Sequence, residues 1–184
     1  MNYYHKIIKE TLPMLLAAAL LATLGGINLK SVETHLTYFL PLFLMLPALN
    51  ATAGEIGIVL VSKITTHLYE YHNKKINWKT LYIHHLFKNM LIVSIISSFY
   101  LSMLSLFLAG IRGYELTSFI VIQTLLITFI VIITLFILTF FIALTFGFYA
   151  YKHNTDPDDL LIPIVTSLAD LGSMSMLALL LHII

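Results

Sequence analysis

The sequence predicts an all-α integral membrane protein of five transmembrane helices, with the N-terminus inside and the C-terminus outside. Three observations carry this. Of the 184 residues, 59% are hydrophobic and only 10% are charged, with a mean hydropathy of +0.94. A soluble domain carries roughly 25% charged residues, so this chain cannot cover a water-facing surface and has lipid as its solvent. Five runs reach the roughly 20 apolar residues that a bilayer crossing needs. The Lys and Arg residues then fall unevenly between the connecting segments.

The first span covers about 8–27 and ends at the pair Gly25-Gly26, read as its outer terminus. It resembles a signal peptide in length, yet no small-x-small cleavage site precedes a polar mature sequence, and it is read as a retained helix. The second span covers about 38–64, with a polar end that extends to 71. Pro41 and Pro47 each remove a backbone donor and favour a bend there. The third covers about 86–110, the fourth 116–150 and the fifth 160–184. The second and fourth exceed one bilayer thickness and are expected to tilt, break or project into water.

With the N-terminus inside, the inner segments hold Lys6, Lys9, Lys63, Lys74, Lys75, Lys79, Lys88 and Lys152. The outer segments hold Lys30 and Arg112, a ratio of eight to two. The chain is expected to be one five-helix transport unit over 1–184, with no cytoplasmic regulatory domain. The basic segment around residues 63–75 is suited to anionic lipid at the inner leaflet, with no need of nucleic acid. Cysteine is absent, which excludes disulfides and thiolate metal sites. There is no phosphate-cradling Gly loop, no nucleophile–base arrangement and no His-Glu-x-x-His pattern, so neither an enzyme nor an organic cofactor is expected. His67, His72, His84 and His85 surround the inner loop and read as solvated histidines rather than zinc ligands.

Chemistry is concentrated in two spans. In "TDPDDLLIPIVTSLADLGSMSMLALLLHII", Asp156, Asp158 and Asp159 stand at the start of the fifth helix, and Asp170 stands in its middle. The triplet suits the positive end of a helix as a cap, or attracts cations; both readings stand. Asp170 is a different case, because a charged Asp at the bilayer centre costs about 3 kcal/mol on insertion scales. On a helix, Asp159, Pro163, Thr166, Asp170 and Ser173 recur at spacings of three and four and form one polar stripe. Asp170 either glues helices through a hydrogen bond or lines a cation path; the stripe favours the path.

The second span reads "PLFLMLPALNATAGEIGIVLVSKITT". It places Glu55 between Gly54 and Gly57, with Asn50 and Thr52 one turn earlier. The glycines serve either close helix packing or an opened backbone whose carbonyls face a cavity. In a regular helix Asn50 and Gly54 share a face while Glu55 points about 140° away, so the helix is distorted or only one of these groups faces a pore.

Pro157-Asp158-Asp159, Pro163, Thr166-Ser167 and Asp170-Leu171 resemble the fifth helix of the membrane domain of MgtE-type magnesium channels and transporters. The likeness is strongest to their archaeal and eukaryotic solute-carrier relatives. The family pattern there is Pro-Asp-Asn, three residues, Pro, a small polar pair, then Asp-Leu. The second span is similar through Pro47-Ala48-Leu49, Gly54, Gly57, Ser62-Lys63 and Thr65-Thr66, and "KETLPMLLAAALLATLGG" resembles the first helix. The resemblance covers all five helices. It implies a multi-pass protein of a prokaryotic, archaeal-like cell membrane that moves a divalent cation, Mg²⁺ in the first instance. The pore would lie between two five-helix units, a homodimer or a heterodimer with a related chain. Asp170 would be the central ligand, with Asn50, Gly54, Glu55, Asp159, Thr166 and Ser173 around the path. Two departures stand out: Glu55 occupies the place of a family Asn, and Asp159 that of the last Asn of Pro-Asp-Asn. Rival expectations are an Na⁺- or H⁺-coupled Mg²⁺ exchanger and a non-transporting subunit of a heteromeric complex.

Overall fold

The structure, a computed structural model, describes residues 3–31, 39–70, 81–153 and 156–183. These form five helices in order: α1 Tyr3–Lys30, α2 Leu40–Glu70, α3 Leu81–Ile111, α4 Ser118–Lys152 and α5 Pro157–Ile183. All five are long and apolar enough to cross a membrane. His72, Lys74, Lys75 and Lys79 lie outside the described residues.

Three of the described boundaries have a clear local cause. Gly113, at φ +77°, closes α3 in the left-handed conformation that a glycine adopts without Cβ strain. The Gly113 and Tyr114 amides return to the Gly110 and Ala109 carbonyls at 3.0 and 3.1 Å, completing a Schellman stop. Thr117 caps α4 by accepting the Ile120 N–H on its hydroxyl. Asp156 caps α5, its Oδ1 accepting the Asp158 N–H at 3.1 Å, with Pro157 in the first helical position. The capping reading of this first acid therefore holds.

Helix directions follow from contact registers. Gly25 meets Leu171 and Asn28 meets Ser175, numbers that rise together, so α1 and α5 are parallel. Met45 meets Thr128 and Ile64 meets Gly147, so α2 and α4 are parallel. Leu135 meets Gly172 and Gly147 meets Leu161, so α4 and α5 are antiparallel. α5 sits at the centre, packed on α1, α2 and α4, while α3 closes the far side against α2 and α4. The core runs through Leu42, Leu49, Leu60, Val131, Ile132, Phe136, Leu161, Val165 and Leu177, each at most 1% exposed. Phe87 of α3 reaches into it and packs against Phe136 and Phe140, with ring centroids 5.2 and 4.9 Å apart.

Two sequence expectations are corrected and one is narrowed. Gly25-Gly26 does not end the first helix, which continues to Lys30. Gly25 is instead a contact point: a Cβ there would meet the Leu171 Cα at 3.1 Å and the Asp170 carbonyl at 3.3 Å, so glycine lets α1 rest on the α5 backbone. Neither α2, of 31 residues, nor α4, of 35, is broken. At ~1.5 Å per residue the longer spans ~52 Å, more than a ~30 Å hydrocarbon layer, and the excess is met by length rather than by interruption. His67 is not a solvated loop histidine either. It is 7% exposed on α2 and stacks on Tyr82 of α3, ring centroids 4.0 Å apart, whereas His84 and His85 are exposed.

Candidate functional site

The two helices with the lowest mean hydropathy, α2 at 1.7 and α5 at 1.8, pack against each other; α4 reaches 3.1. The two mid-helix carboxylates, Glu55 and Asp170, both lie on this pair. Three contacts set its register. The Ser173 hydroxyl donates to Asn50 Oδ1. A Cβ on Gly54 would lie 3.9 Å from Thr166 Cγ2, in ordinary contact. Gly57 faces Val165 so closely that a Cβ would overlap its Cγ1. One number falls as the other rises, so α2 and α5 are antiparallel.

Asp170 lies between the Ser173–Asn50 and Thr166–Gly54 contacts, level with Thr52 on the facing helix. It is 13 residues from each end of α5, 157 to 170 and 170 to 183, or about 20 Å at helical rise. Its side chain is half-buried, and among the described residues nothing donates a hydrogen bond to its carboxylate. Its backbone carbonyl accepts from Ser173 Oγ at 3.1 Å. The helix-glue reading requires a partner for this carboxylate, and none stands there among the described residues.

Glu55 is also at a helix midpoint, 15 residues from Leu40 and 15 from Glu70. It is exposed, on a face shared with Pro47, Ala51, Val59 and Lys63 at spacings of four, while Gly54, Ile56 and Gly57 are buried against α5. The two alternatives left by the helical wheel are thereby decided. The helix is regular, and Gly54 and Glu55 face different ways. Gly57 serves close packing, Gly54 has room for a methyl, and the opened-backbone alternative is not adopted. By the contact register Glu55 is level with about Ser167, so the two mid-helix acids are offset by about three residues, ~4.5 Å along the axis.

The remaining expected site residues divide. Thr166 is half-buried and its hydroxyl donates to the Ile162 and Pro163 carbonyls at 2.9 and 3.1 Å. Its oxygen lone pairs remain open to a cation or water. Ser173 is fully buried, and its hydroxyl is engaged with Asn50 Oδ1 and the Asp170 backbone carbonyl. Asp159 is exposed in the first turn of α5, eleven residues before Asp170. Pro163, having no N–H, leaves the Asp159 carbonyl outside the helix ladder. Among the described residues no three His, Asp or Glu side chains converge into a chelating group. A cation held by Asp170 would therefore keep most of its water, as Mg²⁺ does when it is held by one or two carboxylates.

Sequence reading passed over a recess between α2 and α5, at the end of the bundle where α2 stops and α5 starts. Thr65, Thr66, Tyr69, Glu70, Asp156 and Asp158 line it. The signal was Glu70, a carboxylate in the last turn of a helix, where the dipole disfavours negative charge.

A family model described as a divalent cation transporter, MgtE, matches residues 46–180. No curated protein and no solved structure matches the chain. The matched stretch contains Asn50, Gly54, Glu55, Asp159, Thr166, Asp170 and Ser173 and leaves out α1.

Proposed function

Since the chain belongs to the MgtE family of divalent cation transporters, we propose that it moves hydrated Mg²⁺ along the α2–α5 face, with Asp170 as the central ligand. The observation that carries this is the mid-helix, half-buried Asp170 carboxylate, to which no described residue donates a hydrogen bond. A bare carboxylate at that depth is costly, and a hard divalent cation with retained water supplies the missing charge. The exposed α2 stripe argues for a second copy. Glu55, at membrane depth, does not belong against lipid, and a homodimer built across Ala51 and Glu55 would put it beside the path. Two facing Asp170 carboxylates would then match the charge of one divalent ion. Asn50, held by Ser173, and Thr166 would offer neutral oxygens to the hydration shell. Asp159 and its freed carbonyl would stand at the mouth.

The direct test is Mg²⁺ flux in proteoliposomes containing only this protein, read with a trapped fluorescent indicator. Flux without a partner chain excludes the non-transporting subunit. A requirement for an imposed Na⁺ or proton gradient would replace the channel reading by the exchanger.

Orientation follows the Lys and Arg distribution, which puts the N-terminus and the 71–80 segment inside. The helix directions fit: α1 and α5 run parallel, so residue 3 and residue 156 begin on one side. Single cysteines at 75 and 184 are expected to react oppositely with an impermeant thiol reagent on intact cells. Label at 184 alone agrees; label at 75 alone reverses the topology.

Glu55→Gln keeps shape and removes charge. On this proposal the variant assembles normally but shifts the Mg²⁺ concentration for half-maximal flux or its pH dependence. Transport identical to the parent at every pH assayed would return Glu55 to a packing role.

A further inference from the structure

The recess at the α2–α5 end is an open depression of about 500 Å³. Its wall contains three carboxylates, Glu70, Asp156 and Asp158. An acidic wall alone is commonly a solvated helix end, and Asp156 is partly occupied as the α5 cap. Two buried oxygens set this one apart. Thr65 is 5% exposed, and its Oγ1 has no hydrogen-bond partner. Asp158 Oδ1 is likewise buried and unpartnered. The Thr65 case is telling, because a helical threonine satisfies itself by donating to the carbonyl one turn back. Thr66, Thr124, Thr128, Thr139, Thr145 and Thr166 all do so. Thr65 forgoes that bond while lining the recess. A buried hydroxyl without a partner is costly, and a ligand in the recess would meet that cost.

The electrostatics define the ligand. Glu70 adds its charge to the negative end of α2. Asp156 and Asp158 face Glu70 across the same recess. Carboxylate, hydroxyl and phenol oxygens are a hard donor set without nitrogen or sulfur, suited to Mg²⁺, Ca²⁺ or Mn²⁺. The carboxylates do not converge to chelating distance, and a recess of this size has room for an ion with its waters.

We propose that this recess is a second divalent-cation site, in which Glu70, Asp156, Asp158 and the Thr65 hydroxyl hold a hydrated ion at the mouth of the α2–α5 path. Its transport role rests on the proposed function above; its binding does not. The ion is captured through its water shell and passed toward Asp170, about three to four helical turns further along α5. The Asp158 carboxylate and the Thr65 hydroxyl oxygen accept hydrogen bonds from metal-bound water.

The test uses the full chain in detergent with Mn²⁺ as probe, read by electron paramagnetic resonance, alongside Mg²⁺ flux in proteoliposomes. Asp170→Asn removes the central ligand and is expected to retain one Mn²⁺ per chain. Adding Asp158→Asn should weaken that remaining ion about 10-fold or more, the scale for groups that act through metal-bound water. Adding Thr65→Val instead should weaken it by a smaller factor, with Thr65→Ser restoring it. Thr65→Val fills the same volume and deletes an unpartnered hydroxyl, so a purely structural Thr65 predicts an equally or more stable protein with unchanged Mn²⁺ binding. In flux, Asp158→Asn and Thr65→Val should raise the half-saturating Mg²⁺ concentration and leave the maximal rate near the parent's, whereas Asp170→Asn lowers the maximal rate. No Mn²⁺ bound to the Asp170→Asn chain, or binding unaffected by both mouth substitutions, would overturn the mouth site. Normal flux in Asp170→Asn would overturn the central site and leave the Mn²⁺ count to decide this one. Should Asp158→Asn fail to fold, the Thr65→Val and Thr65→Ser pair decides.

Discussion

Asp170→Asn is expected to lose most divalent flux while the protein elutes and melts as the parent does. The substitution preserves side-chain shape and removes only charge. In a helix-glue role Asn would serve well, since its amide still bonds a neighbouring helix. No described residue donates a hydrogen bond to the Asp170 carboxylate, so there is no glue for Asn to keep. Asp170→Ala should abolish flux and also leave the fold intact, because the side chain is half-buried and removing it opens no closed cavity. The assay pairs Mg²⁺ entry into indicator-loaded proteoliposomes with size-exclusion chromatography of each variant. Near-parental flux in Asp170→Asn sinks the central-ligand proposal. Aggregated Asp170→Ala would make the residue structural.

The largest stability effect is expected at Gly57. It and Gly54 lie three residues apart, and both are buried against α5. A Cβ on Gly54 comes no closer than 3.9 Å to Thr166 Cγ2, an ordinary contact. A Cβ on Gly57 overlaps Val165, which is 0% exposed and β-branched, so its methyl has no second rotamer to retreat into. Gly57→Ala should therefore cost about 1–3 kcal/mol as overpacking and lower the melting temperature in detergent. Gly54→Ala should be close to neutral. Val165→Ala frees the space that the new methyl needs, so the Gly57→Ala/Val165→Ala double variant should recover much of the loss. Such recovery is a coupling between touching residues. Equal melting temperatures for the two alanine variants would mean that α2 and α5 are packed differently from the arrangement described.

The contrast between these glycines illustrates what the sequence carried. Composition and the five apolar runs determined the all-helical membrane-crossing architecture, because lipid leaves a backbone only helices or closed barrels, and continuous apolar runs of about 20 residues fit the helix. The helix bounds moved by at most a few residues, apart from the first, where Gly25-Gly26 was read as a stop. A glycine pair looks the same in sequence whether it ends a helix or lets a neighbour approach. Only the position of Leu171 and the Asp170 carbonyl, more than 140 residues away in the chain, tells the two apart. The family was also legible, because its motifs are local strings: Pro-Asp-Asp, Pro, Thr-Ser, Asp-Leu.

The facing of side chains was not legible in the same way. Periodicity put Asp159, Pro163, Thr166, Asp170 and Ser173 on one stripe of α5, but a stripe does not say which neighbour it meets. Packing on α2 buried Ser173 against Asn50 and left Asp170 half-open. The helical wheel stated that Gly54 and Glu55 could not both face one partner; the contact with Thr166 settled which one does. Thr65 and Asp158 became notable only through what they lack, a hydrogen-bond partner, and a missing partner has no signature in a linear string. Burial against lipid is a property of each segment's own residues, so the sequence alone determined that the chain spans a membrane. Register between α2 and α5 depends on the shapes of both helices at once, so only the tertiary structure decided which oxygens meet.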